Sequence, residues 1–173
     1  MDKALQLVIE MNEWTWNHFK DDLKEATPEE INWRPLPQAN TINAILRHLR
    51  IEAQWHLVSL EHGEPMPVQV TVSVQQEIDL APLDFERNLK ELEESYTRFI
   101  AALRRTTLPA LQQQTVLAYR DFPGEASRPT HLLGFHQAVH LATHWGQIRT
   151  IRNLYRKTRG EPARFFPENP TFP

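Results

Sequence analysis

Residues 130–161 read THLLGFHQAVHLATHWGQIRTIRNLYRKTRGE, an uninterrupted run without proline that ends at Pro162. Proline removes a helical hydrogen bond and clashes with the preceding turn, so long helices fit only in stretches that lack it. The chain has 13 prolines in 173 residues. They leave three further free windows, at 1–27, 38–64 and 83–108. Each window carries apolar residues at helical spacing. Leu5, Val8, Ile9, Asn12, Trp16, Phe19 and Leu23 share one face of the first. Ile45, Leu46, Leu49 and Trp55 follow Thr41, a fitting N-cap, in the second. Phe85, Leu89, Leu92, Tyr96, Phe99 and Leu103 step by four and three in the third, the seam of a packed bundle helix. The fourth starts near Thr130 and is stopped by Gly160 and Pro162. Four helices of this length predict an all-α four-helix bundle.

The connection between the second and third helices covers roughly residues 63–82, long for a bundle turn and long enough to run the length of a helix. Helices two and three can therefore be parallel, joined by a crossover. Val68, Val70, Val72 and Val74 alternate with polar residues there as in a half-buried strand. Thr115–Tyr119 is a second strand candidate, and the two are weighed as a small two-stranded ribbon against isolated extended loops. The tail, 160–173, is punctuated by proline. Phe165, Phe166 and Phe172 predict that it lies extended against the body or a second subunit.

Composition narrows the function. Hydrophobic residues make up 40% and charged residues 24%, as in ordinary globular domains. A formal net charge of -3 gives nucleic acid no electrostatic footing. The absence of cysteine excludes disulfides, thiolate metal sites and a cysteine nucleophile. No segment reads as a signal peptide or a membrane span, so a cytoplasmic location is expected. Arg149, Arg152, Arg156, Lys157 and Arg159 crowd the end of the fourth helix, where positive charge complements the helix dipole.

The chemistry lies in the histidines. His140 and His144 are one helical turn apart on the stripe Leu133, Gln137, His140, His144, Ile148, Ile151 and Tyr155, a spacing at which two imidazoles can hold one metal ion. His136 and His144 are about 12 Å apart along the axis, too far to share an ion through bonds of about 2.0–2.1 Å. His136, rotated toward the flank, reads as a surface residue or one lying behind the ligands. A further ligand must come from another helix. With residue 130 at the base, His140 and His144 stand about 15–21 Å up. On a descending second helix, His48 stands about 21 Å up and His56 about 9 Å. His18 also qualifies by height, at about 24 Å, but lies off the Phe19 stripe. His48, beside Ala44 and Ile45, is the better third ligand.

Three neutral imidazoles leave a divalent ion its full charge and an open position, the layout of a catalytic site. The motif reads HLATH and lacks the glutamate that follows the first histidine of the zinc-protease helix, so peptide hydrolysis by that route is disfavoured. Glu52, one turn after His48, is the nearest carboxylate; a solvated surface position is the favoured reading of it over a role in orienting an imidazole or moving a proton.

INWRPLPQANTINAILRHLRIEAQW (residues 31–55) and HQAVHLATHWGQI (residues 136–148) together resemble the DinB/YfiT-like superfamily. The first resembles its tryptophan-Arg-Pro segment leading into a capped helix with a metal-binding histidine, and the second its closing H-x-x-x-H-x-x-Gln-Ile pattern. The resemblance spans nearly the whole chain and implies one domain over 1–173, a bundle in up-down-down-up order. It also implies a divalent metal, zinc or nickel, on His48, His140 and His144, and commonly a homodimer. Relatives with known activity include thiol-dependent S-transferases and an isomerase. The leading expectation is therefore an enzyme that joins a low-molecular-weight thiol to a small electrophile. The alternatives are a metal-dependent hydrolase using activated water, and a dimeric bundle that binds metal or ligand without turnover. No partner beyond a small molecule and a second copy is expected, neither nucleic acid nor membrane.

Overall fold

The computed structural model describes residues 2–62, 84–111, 114–116, 127–129 and 131–164. Four long helices form the body: α1 (Lys3–Leu23), α3 (Ile42–His62), α4 (Phe85–Arg105) and α6 (His131–Thr158). Two short ones, α2 (Pro28–Asn32) and α5 (Leu108–Leu111), follow α1 and α4. Strands β1 (Gln114–Val116) and β2 (Ser127–Pro129) pair antiparallel, with Thr115 opposite Arg128. The β1 strand falls partly within the TVLAY candidate, and its described partner is β2. The valine segment 68–74, the crossover at 63–82 and the tail phenylalanines lie outside the described residues.

Local chemistry sets the ends of the helices. Asp2 accepts from the Ala4 amide at 2.8 Å and caps α1, and Thr41 Oγ1 accepts from the Ala44 amide at 3.0 Å and caps α3. Asp84 does the same for α4 through the Arg87 amide. At the end of α6, Gly160 takes φ of 72°. Its N–H donates to the Lys157 carbonyl, and the Glu161 N–H to the Arg156 carbonyl, the paired bonds of a Schellman stop.

Side-chain bonds between helices fix their directions. Asn43 meets Asn88 and Glu61 meets Arg98, so α3 and α4 run parallel. Asn12 meets Gly134 and Asp22 meets Arg149, so α1 and α6 run parallel too. Asn12 with Tyr96, and Lys20 with Glu93, set α1 antiparallel to α4. The order is up-down-down-up, as expected.

The seams read from the sequence form the core. Leu5, Ile9, Trp16, Phe19 and Leu23 of α1 are buried against Leu92, Tyr96, Phe99 and Leu103 of α4 and Leu141, Ile148 and Ile151 of α6. Trp16 stacks on Tyr96 and Phe19, with ring centroids 4.8 and 5.6 Å apart. Asn12 interrupts this apolar stripe yet is fully buried. Its amide donates to the carbonyls of Val8 and Gly134, and its oxygen accepts from the Tyr96 hydroxyl at 2.8 Å.

Two arginines of the cationic end of α6 have specific partners besides the helix dipole. Arg152 is only 1% exposed and binds Glu30 of α2 through two nitrogens, at 2.6 and 3.1 Å, while also donating to the Asp22 carbonyl. Arg149 pairs with Asp22 at 2.5 Å. These two arginines tie α1 and α2 to α6, a structural use that the dipole argument does not supply. At the start of the tail, the Arg164 amide donates to Asn153 at 2.9 Å and its guanidinium pairs with Glu25.

Candidate metal centre

Antiparallel packing of α3 against α6 brings the three expected histidines together. His140 Nε2 lies 3.0 Å from His48 Nε2 and 3.0 Å from His144 Nε2. One nitrogen from each of the three falls within 4.8 Å of the others. Two nitrogens bound to one ion at about 2.0–2.1 Å and a tetrahedral angle are about 3.3 Å apart. The observed spacing is thus close to that of a coordinated set. Among the described residues this is the one such group of three.

Electrostatics favours ligation as well. Burial, with the neighbouring His144 adding, lowers the His48 imidazole from its ordinary 6.5 to about 4. Burial and the surrounding histidines push His140 further down. Burial also lowers His144, opposed by its bond to Gln147. Three neutral rings present lone pairs rather than protons. His144 Nδ1 lies 2.8 Å from Gln147 Oε1. With Nδ1–H donating to that oxygen, Nε2 is left as the free acceptor facing the other rings.

A second pair lies one level down. His136 Nδ1 is 3.3 Å from His56 Nε2, and the His136 ring stacks on His140 with centroids 5.5 Å apart. His136 therefore lies behind the three clustered histidines, not on the open surface. His56 is fully buried, and burial lowers it to about 3, with His136 adding. The helical rise that puts His56 about 9 Å above residue 130 puts His136 at the same height, so the sequence contained this pair. His18 lies apart from the group: it is exposed, stacks on Trp14 with centroids 4.2 Å apart, and bonds through Nδ1 to the Trp14 carbonyl.

Glu52 is corrected by the structure. It is not a solvated surface residue. Its Oε2 is buried with no hydrogen-bond partner, and burial raises the carboxyl from 4.5 to about 7. Helical spacing put it on the His48–His56 face, but spacing cannot tell how closely a neighbouring helix covers that face. Nδ1 of His140 is also buried without a partner. Folded interiors pair almost all such groups, so their concentration between α3 and α6 marks a place kept polar for use.

A cavity of about 650 Å³ is lined by Ile45 of α3 and by Gly146, Gln147 and Ile151 of α6, with none of the three histidines in its wall; Gln147, bonded to His144, links the two. Ile45 precedes His48 by three residues, and Gly146 and Gln147 follow His144 by two and three. The cavity therefore begins about one turn from both ligands along their helices. The loop through Pro35, Ala39 and Asn40 closes its far side. Arg34 donates to the Ala39 carbonyl at 2.5 Å, and Trp33 packs edge-on against Tyr155. No helical seam foretold this cavity, because a loop forms one wall.

Residues 9–157 match the family model described as mycothiol-S-transferase. The chain belongs to that family. It lies within the DinB/YfiT-like superfamily, as its two motifs implied. Among solved structures it is similar to YfiT from Bacillus subtilis, described as a probable metal-dependent hydrolase with an unusual four-helix bundle topology. The TM-score is 0.67 at 18% identity, over 93% of this chain and 91% of that one. A conserved protein from Enterococcus faecalis aligns with TM-score 0.64 at 16% identity, over 89% and 98% of the two chains. The DinB-like protein YjoA from Bacillus subtilis aligns with TM-score 0.58 at 11% identity, over 97% and 100%. These likenesses establish the shared fold. No curated protein sequence matches the chain. Among the described residues, no helix is long and apolar enough to cross a membrane.

Proposed function

We propose that this protein is a metal-dependent enzyme that joins a low-molecular-weight thiol to a small electrophile, with a divalent ion, zinc or nickel, held by His48, His140 and His144. The observation that carries the reading is the convergence of three neutral imidazole nitrogens from two helices, with His140 Nε2 3.0 Å from each of the other two. Membership of the mycothiol-S-transferase family supports the thiol half. An ion bound there supplies the acidity that turns a coordinated thiol into a thiolate near neutral pH.

The chain's own groups do the rest. Burial keeps the ligand rings unprotonated, and Gln147 fixes the tautomer of His144. Glu52, raised to about 7 by burial, is the proton acceptor we assign to the thiol. The sulfur forms its bond to the electrophilic carbon with its own electron pair. The pair of the broken bond departs with the leaving group or, in an addition, moves to the adjacent carbon, which takes up a proton.

The test starts with metal analysis of purified wild type and His48→Ala. Wild type is expected to hold one ion per chain and the variant to lose it; full occupancy in the variant removes His48 from the ligand set. Metal-loaded protein is then given thiol and 1-chloro-2,4-dinitrobenzene. Chloride release that requires thiol supports the transferase. A hydrolase replaces it if esters are cleaved without thiol, an outcome to which Glu52, its carboxyl raised to about 7, would lend itself as the carboxylate that takes a proton from water. Tight metal binding with neither activity would make the protein a binding module.

A further inference from the structure

The two glycines within α6, Gly134 and Gly146, have opposite surroundings. A Cβ on Gly134 would sit 2.7 Å from Val8 Cγ1 and 3.4 Å from Leu103 Cδ2, so close packing of α1 and α4 requires glycine there. A Cβ on Gly146 would meet nothing within 4 Å. Gly146 has no positive φ either, since Gly160 is the described residue with that conformation. Glycine weakens a helix interior relative to alanine. Neither packing nor backbone geometry explains it at 146, where it lines the 650 Å³ cavity. Glycine in such a place lets a ligand approach the helix backbone.

The wall chemistry says what kind of ligand. Ile45, Ile151, Leu154 and Pro35 supply apolar surface, while Asn40 and Gln147 supply neutral polar groups. None of the described residues lining the cavity is ionisable. Placing a charged group against such walls would strip its water without a partner. The loop wall is braced by the Arg34 bond to the Ala39 carbonyl, so the space is formed before any ligand arrives.

We infer that this cavity is the acceptor site, and that it receives the uncharged, largely apolar body of the electrophile against the bare backbone at Gly146. This rests on the transferase reading for the word acceptor, while the ligand chemistry rests on the cavity alone. Gln147 joins the two, since its amide both lines the cavity and holds His144.

The test uses a matched pair of fluorescent probes on the zinc-loaded protein. N-phenyl-1-naphthylamine is uncharged, and 8-anilinonaphthalene-1-sulfonate is the same skeleton with an anionic group. The neutral probe is expected to bind wild type and Gly146→Ala alike. Gly146→Leu, whose side chain projects into the cavity, is expected to bind it at least about tenfold more weakly with zinc content unchanged. The sulfonate is expected to bind wild type at least about tenfold more weakly than the neutral probe. Equal binding of the neutral probe by wild type and Gly146→Leu would overturn the site. Equal binding of both probes by wild type would overturn the ligand class. An inactive protein that passes both tests would sink the transferase reading and leave the cavity assignment standing.

Discussion

Gln147 Oε1 lies 2.8 Å from His144 Nδ1, on the opposite edge of the ring from the nitrogen that faces His140. A side chain at this position would orient the His144 imidazole toward a bound ion without touching the ion. Gln147→Leu keeps the size and removes the acceptor, freeing His144 to take the other tautomer or to rotate. Loss of such an outer partner commonly costs about 10–100-fold in metal affinity. Competition with a chelator should show weakening in that range, with the fold intact by circular dichroism. Unchanged affinity would mean that the Gln147 bond is incidental.

Arg152 and Glu30 are 1% and 4% exposed and bonded through two nitrogens. Arg152→Met leaves a carboxylate buried without its partner, at a cost of about 3–5 kcal/mol. Arg152→Met combined with Glu30→Leu removes both charges and should recover most of that loss. Urea unfolding of the single and double variants checks this. A double variant no more stable than the single one would show that α2 needs the ion pair itself.

The different fates of these residues show what the sequence could disclose. The Leu92–Tyr96–Phe99–Leu103 seam was legible because helical periodicity is a local property, and all four are buried. The place of His48 was legible because the rise per residue is fixed and Thr41 and the flanking prolines marked the helix ends, so height, with the off-stripe position of His18, ranked it. The pairing of Arg152 was not legible because its partner sits on α2, which at five residues is too short to carry a periodic pattern. The Thr27–Pro28–Glu30 cap was the available signal: Thr27 Oγ1 accepts from the Glu30 amide at 3.2 Å. Glu52 was misread because its environment is set by how two helices close, which no single-helix pattern encodes. The cavity wall at 33–40 depends on Trp33 reaching Tyr155, a contact between segments far apart in the chain.

Glu52 makes stability depend on pH with a definite sign. Its carboxyl is raised from 4.5 in the ordinary state to about 7 when folded. The folded protein thus holds a proton that the unfolded chain has released. The associated stability is full below about 4.5 and is lost as pH rises through about 7, with a ceiling of about 3 kcal/mol. Glu52→Gln keeps the shape and removes the titration. Metal-free wild type should lose stability relative to Glu52→Gln between pH 4.5 and 8, with no further divergence below that window. Parallel stability curves for the two proteins would show that Glu52 titrates normally.

Gly134 and Gly146 should respond to the same substitution with opposite signs. At Gly134 a methyl group would meet Val8 Cγ1 at 2.7 Å. Valine in a helix has little rotamer freedom with which to yield. The shift would also strain the 2.9 Å bond from Asn12 to the Gly134 carbonyl, and through Asn12 the one to Tyr96. Gly134→Ala should therefore destabilise by about 1–3 kcal/mol, as overpacking does. At Gly146 the added methyl finds open space, and alanine gains helix propensity over glycine. Gly146→Ala should stabilise by about 0.5–1 kcal/mol. Thermal or urea unfolding of the two variants beside wild type reads both signs at once. A destabilised Gly146→Ala would mean that the helix there is held by contacts the glycine does make, and a neutral Gly134→Ala would mean that α1 and α6 can separate without loss.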